Sequence, residues 1–164
     1  MIFVSVGTNE ARFDRLLRAV AELPGTEELV VQHGHSTPFP GASTSLLDFL
    51  SFEQMNEAMT RARVVVTHAG VGSVLVALAN GKRPVVVPRL KAFAEAVDDH
   101  QLQLGRRFAA AGLVTLVEDL DALAEAVAGE QEAAAIVPRA TTLAADLTRF
   151  LEATILSPLA TVSA

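Results

Sequence analysis

The chain has 164 residues with a formal net charge of −6 and a sequence pI near 5.2. That is one domain with enough length to bury a core, and it lacks the basic footprint that nucleic acid or an anionic membrane surface requires. Cysteine is absent, which removes disulfides and thiolate metal sites and suits a reducing compartment. Hydrophobic residues make up 51% of the chain but aromatics only 5%, as in an α/β domain with close-packed helices or one that keeps a face for a partner.

Residues 2–6 (IFVSV) read as a strand from the outset, which leaves no space for a basic leader or a cleavable apolar segment, so a cytoplasmic chain is expected. Gly7-Thr8-Asn9 ends that strand, and a helix follows with Phe13, Leu16, Leu17 and Val20 at helical spacing, stopped by Pro24-Gly25. Residues 29–31 form a second strand. It runs into a polar, turn-rich connection over 32–44, the longest irregular piece of the chain, which contains His33 and His35. Residues 46–50 read as a weaker third strand. Ser51 with Gln54 three positions on is the pattern of a capping box, here for a helix over 52–62.

The run VVVTHAGVGSVLVALANGKRPVVVP, residues 64–88, is the organising stretch. It divides into a β-branched strand (64–67), a glycine-interrupted turn (68–72), an apolar helix over 73–80 with Ser73 as its N-cap, and a second β-branched strand (84–87). The uncharged part, 64–81, approaches membrane-spanning length, but His68, Gly70, Gly72 and Ser73 break it into core elements. Beyond Pro88 a loop leads to a helix over 98–111, with Asp98 and Asp99 at its start and Gly112 in the C′ place. A strand at 114–117, a short helix at 120–128, an irregular segment at 131–137 and a final helix at 141–155 complete the chain. That last helix carries Leu143, Leu147, Phe150, Leu151 and Ile155 on one stripe, and a loose tail over 156–164 follows it.

Strands alternating with helices predict a single α/β domain over 1–164, with a Rossmann-like, mostly parallel sheet and helices on both faces. Ligands of such sheets gather at the carboxyl ends of the strands. Gly7-Thr8, the 68–73 turn and the loop after Pro88 all fall at such ends.

No complete catalytic set is legible from residue types alone. Gly70 and Gly72 let the backbone turn sharply and come close to a ligand, and the positive end of the following helix suits a phosphate or diphosphate. The glycines alone are equally compatible with a plain strand-to-helix turn; His68 beside them favours the anion site. The turn lacks the lysine of a P-loop and the third glycine of a dinucleotide fingerprint, so neither ATP nor NAD is indicated. His33 and His35 make an H-x-H pair with no third ligand at a recognisable spacing, and two solvated loop histidines are expected there. Asp98-Asp99-His100-Gln101 gathers groups suited to a hydroxyl-rich ligand, and equally suits a polar helix start.

The order H-A-G-x-G-[ST], apolar helix, G-K-x-P-x-V-V-P, then D-x-H-Q resembles the C-terminal domain of glycosyltransferase family 28. The opening M-I-F-V-x-V-G-T with F-D-R-L further resembles its short, stand-alone members, the soluble donor-binding subunits of two-component UDP-N-acetylglucosamine and exopolysaccharide transferases. The resemblance spans roughly residues 1–117. It implies the donor half of a GT-B enzyme, using a UDP-sugar and no metal or other cofactor. His68, Gly70, Gly72 and Ser73 would hold the diphosphate, Asp99, His100 and Gln101 would face the sugar, Gly7 and Thr8 would line the cleft opposite, and Phe52 and Met55 are candidates for the uracil edge. Two positions depart from the family's pattern: Val76 stands where an acidic residue commonly meets the ribose, and Asp99 where Asn is usual. The resemblance also implies a membrane-anchored partner that carries the lipid-linked acceptor and holds this chain at the cytoplasmic membrane, with the 143–155 stripe as a candidate dock. A non-catalytic accessory subunit and a homodimer whose second copy takes the acceptor role are the alternatives.

Overall fold

In the computed structural model, which describes residues 1–129 apart from 26, 40, 42 and 43, the β-branched blocks become strands and the amphipathic stretches between them helices. In order these are β1 (Ile2–Ser5), α1 (Asp14–Ala21), β2 (Leu29–Gln32), β3 (Thr44–Leu47), α2 (Phe52–Arg61), β4 (Val64–His68), α3 (Val71–Ala79), β5 (Val85–Val87), α4 (His100–Ala110), β6 (Thr115–Leu116) and α5 (Leu123–Ala128). The segment 131–137, the helix expected over 141–155 with its apolar stripe, and the tail lie outside the described residues. The strands form one sheet in the order β3-β2-β1-β4-β5-β6, every pairing parallel.

Side chains alternate across each strand, so a β-branched run in a central strand has to be covered on both faces. Ile2, Val4, Val64, Val66, Val85 and Val87 pack with Leu16, Leu17 and Val20 of α1 and with Leu123 and Val127 of α5. On the other face Phe3 and Val65 meet Met59 of α2 and Ala77 of α3, while Val86 meets Val74 and Leu78 of α3 and Phe108 of α4. Each such side chain contributes roughly 1.5–3 kcal/mol of burial. This two-sided core holds the carboxyl ends of β1, β4 and β5 in fixed register, Ser5 beside Thr67 and His68 beside Val87.

Several boundaries differ from the sequence expectation. The third strand runs over Thr44–Leu47 rather than 46–50. Its register is set by the four residues of β2, and beyond it the Asp48 carbonyl is drawn inward by Gly34 N–H and Gln32 Nε2. Helix α3 begins at Val71 with Gly70 as its N-cap, so Ser73 is its third residue and makes no cap hydrogen bond. Helix α4 likewise begins at His100, with Asp99 as N-cap and Asp98 one residue outside it. The expected helix over 120–128 is a 3-10 turn, Leu120–Ala122, leading into α5. The capping box at α2 is present, with Gln54 N–H donating to Ser51 Oγ at 3.2 Å and Ser51 N–H to Gln54 Oε1 at 2.8 Å.

Candidate functional site

The connections reverse direction in this sheet between β1 and β4, since β2 and β3 build outward on one side and β5 and β6 on the other. At such a point the loops leave towards opposite faces and a crevice opens at the carboxyl ends. A cleft of about 330 Å³ lies there. Gly7 and Thr8 line it from the loop after β1, His68 and Gly70 from the end of β4, Gly72, Ser73 and Val76 from α3, and Phe52 and Met55 from α2. A larger groove of about 550 Å³ runs between α1 and residues 120–124, on the flank of the sheet and away from these loop ends.

Helix α3 points its N-terminus into the cleft. Val74 N–H is the first to bond back into the helix, to Gly70 O at 3.1 Å, so the N–H groups of Val71, Gly72 and Ser73 have no acceptor within it. A Cβ built on Gly72 would meet nothing within 4 Å, so the approach to these donors is open. Oriented N–H groups at the positive end of a helix dipole form an anion site without any charged side chain.

Opposite this opening the floor is closely packed. The His68 ring fills the space that side chains at Gly7 and Gly70 would occupy. A Cβ on Gly7, whose φ is +79°, would lie 2.6 Å from His68 Cε1, and one on Gly70 would overlap His68 Nε2. Burial, followed by the positive charge of Arg89, pushes the His68 imidazole down to about 4, against a smaller upward pull from the Ser5 carbonyl. The ring is therefore neutral near pH 7. Thr67 Oγ1 donates to Ser5 O at 3.1 Å and faces His68 Nδ1 at 3.4 Å, which favours the tautomer protonated on Nδ1.

Side chains without any motif in the sequence hold this floor. Gln32, at the end of β2, accepts on Oε1 from Ser5 Oγ (2.8 Å) and Gly7 N–H (3.1 Å), and donates from Nε2 to Gly7 O (3.0 Å) and Asp48 O (2.9 Å). Arg89, two residues beyond β5, is wholly buried. Its guanidinium donates to Val6 O at 2.9 Å and Ala11 O at 2.7 Å and lies over the Phe13 ring. Arg15 and the buried Glu95 pair beside it at 2.9 Å. The only sequence signal for Gln32 and Arg89 is a long polar side chain at or just past the carboxyl end of a β-branched strand.

The remaining candidates lie outside the lining of the cleft. Gln101 is buried and its Oε1 accepts from Arg89 N–H at 3.2 Å. Asp99 Oδ1 accepts from Lys91 N–H at 2.9 Å, and His100 pairs with Asp98 at the exposed start of α4. The expectation of two solvated histidines after β2 holds only for His35, whose ring meets Phe49 edge-on. His33 is buried, with Nε2 3.0 Å from Oδ1 of the exposed Asp48 and Nδ1 3.1 Å from Gly34 O, its backbone N–H bonded to Leu47 O across the sheet edge. Among the described residues no three His, Cys, Asp or Glu side chains come together as a metal site.

A doubly wound parallel sheet with an open helix N-terminus at its switch point is the architecture of nucleotide-binding α/β domains. Residues 1–147 match the model of the glycosyltransferase family 28 C-terminal domain, and the chain belongs to that family. It is 33% identical over 118 residues to the human UDP-N-acetylglucosamine transferase subunit ALG13, covering 65% of this chain and 10% of that protein. The mouse protein of the same name is 35% identical over 117 residues, covering 64% and 10%. The one from Yarrowia lipolytica is 42% identical over 60 residues, covering 37% and 29%. The chain thus spans about a tenth of the length of its mammalian relatives. In fold it is similar to the calicheamicin glycosyltransferase CalG4, with a TM-score of 0.57 at 20% identity over 95% of this chain and 38% of that one. The glycotransferase of kitacinnamycin gives a TM-score of 0.58 at 21% identity over 93% and 39%. This fold corresponds to somewhat more than a third of each of those two chains.

Proposed function

We propose that this chain is the donor-binding, catalytic subunit of a two-component glycosyltransferase, moving a hexose or N-acetylhexosamine from a UDP-sugar to a lipid-linked acceptor. The observation that carries the reading is the open N-terminus of α3, aimed into the cleft at the reversal of the sheet. Relatives named as subunits of a UDP-N-acetylglucosamine transferase support both the donor class and the need for a partner.

In this reading the diphosphate sits at the N–H groups of Val71, Gly72 and Ser73 with His68 beside it, and Phe52 and Met55 flank the base. Gln101, whose carbonyl oxygen is already engaged, would offer its amide donors to the sugar, with Asp99 and His100 nearby. As the glycosidic bond breaks, negative charge grows on the departing UDP, and fixed N–H dipoles stabilise it without reorganising. No cation or cofactor enters the proposed chemistry. The base that deprotonates the acceptor is assigned to a membrane-anchored partner that keeps this chain at the cytoplasmic face. Among the described residues no helix is long and apolar enough to cross a membrane.

The test is calorimetric titration of the chain, alone and with its co-expressed partner, against UDP and a panel of UDP-sugars. Saturable binding of UDP and of at least one sugar is expected, followed by transfer once the partner and acceptor are present. Failure of every nucleotide to bind either preparation overturns the proposal. Partner binding and transfer by the pair that both survive Gly72→Asp and Gln101→Ala would make the chain an accessory subunit instead.

A further inference from the structure

The cleft wall contains neither lysine nor arginine, and His68 is neutral. A diphosphate carries more negative charge than the roughly half charge of a helix terminus offsets, so a positive group behind the wall adds to what the helix end supplies.

The buried cluster of Arg89, Arg15 and Glu95 supplies it. Glu95, 3% exposed, is engaged by Arg15 through Nε (3.0 Å) and Nη2 (2.9 Å) and also accepts from Leu90 N–H. Arg89, 0% exposed, meets only neutral acceptors: the carbonyls of Val6 and Ala11, with longer contacts to those of Arg12 and Glu95. Among the described residues no carboxylate is within ion-pairing distance of it, and its Nε has no partner. Two guanidinium groups against one carboxylate leave the cluster with one net positive charge in the interior. Such a charge is costly to bury unpaired and acts over a longer range than an exposed one, because water does not screen it. It lies one strand from His68, since Val87 pairs with His68 and Arg89 follows two residues later. Burial chiefly, and the Arg89 charge after it, hold the His68 imidazole low, in keeping with this placement beside the cleft.

We propose that Arg89 is a positioning residue of the donor site, fixing the Val6 carbonyl beside Gly7 while the net charge of the Arg89–Arg15–Glu95 cluster raises affinity for the anionic part of the donor. The inference rests on the donor reading above and adds a charge that touches no ligand. A purely structural arginine would affect charged and uncharged ligands alike, whereas a field acts on the charged one.

The experiment is an NMR-monitored titration of UDP and of uridine into wild type, Arg89→Met, Arg89→Lys and Arg15→Met, with the melting temperature of each. Arg15→Met takes the cluster from one net positive charge to none without removing a contact to Val6 or Gly7. The expected result is a loss of UDP affinity of about tenfold in Arg89→Met and about threefold in Arg15→Met, uridine affinity staying level and Arg89→Lys recovering most of the loss. If Arg89→Met fails to fold, Arg15→Met decides. Equal losses for UDP and uridine, or undiminished UDP binding in folded Arg89→Met or Arg15→Met, overturn the proposal while leaving the donor site standing. Wild type that binds neither UDP nor uridine overturns both.

Discussion

The two sides of the cleft are built on opposite plans. The floor, where Gly7, Gly70 and the His68 ring meet, is packed so closely that even a methyl group has no place, and buried Gln32 and Arg89 fix its backbone. The mouth of α3, two residues further along the same motif, is empty around Gly72. One glycine is therefore needed by the protein's own packing, while the other leaves the helix end open. The contrast separates stability from binding at positions that look equivalent in H-A-G-V-G-S.

The sharpest way to break this contrast is Gly72→Asp. The new side chain has room, so the melting temperature should change little, while its carboxylate occupies the anion position and repels the diphosphate. Loss of UDP affinity should exceed about a hundredfold. A large drop in melting temperature instead would show that Gly72 belongs to the packed floor.

The floor should reveal itself through pH. The His68 imidazole is held down to about 4 from 6.5, so between these values the unfolded chain binds more protons than the folded one. Stability is full above pH 6.5 and falls as the pH drops towards 4, in total by on the order of 2–3 kcal/mol. Glu27, held down to about 2 by Arg63, contributes stability that is lost only as pH falls from about 4.5 through 2, so the range from 6.5 to 5 isolates the histidine. Urea unfolding at pH 6.5 and pH 5 should show a gap in wild type that narrows in His68→Gln.

Gly70→Ala comes next in size. Its methyl group overlaps His68 Nε2, and relieving that overlap by moving the ring disturbs its contact with Gly7. Overpacking of this kind costs about 2 kcal/mol, to be read as a lowered urea midpoint at pH 7. If Gly70→Ala is as stable as wild type, the floor is softer than its geometry indicates.

What the sequence discloses follows the same division. The β-branched blocks, the Ser51–Gln54 box and the glycine turn are local patterns, and each lies within a few residues of its expected place. The parallel doubly wound sheet follows from their alternation, and the family is legible because its motif residues are also local. Ser73 misleads because a good cap residue is overridden when the strand delivers Gly70 to the cap position first. Gln32, Arg89 and His33 are illegible for a different reason. A polar side chain can be buried only where partners distant in sequence satisfy it, and here those lie 83 residues away for Arg89 and Val6 and 25 for Gln32 and Gly7. Nothing in the flanking residues encodes such partners.

The smallest effect expected concerns Val76, which lines the mouth one turn into α3. Its backbone oxygen serves the Asn80 side chain, and its side chain lines the cleft while also packing on the Phe3, Met59 and Val65 cluster, so the melting temperature of a variant is read beside its affinity. An acidic residue at this place would accept hydrogen bonds from ribose hydroxyls near a helix end that favours negative charge. Each hydrogen bond to a charged acceptor is worth about 1–3 kcal/mol before the repulsion between the added carboxylate and the diphosphate is subtracted, which leaves a net gain of order 1 kcal/mol. Val76→Glu should therefore bind UDP several-fold more tightly than wild type and should discriminate against 2′-deoxy-UDP, which wild type should bind nearly as well as UDP. A variant that gains for both nucleotides equally would place the ribose elsewhere in the cleft. One that loses UDP altogether would mean that the diphosphate lies closer to residue 76 than the open helix end implies.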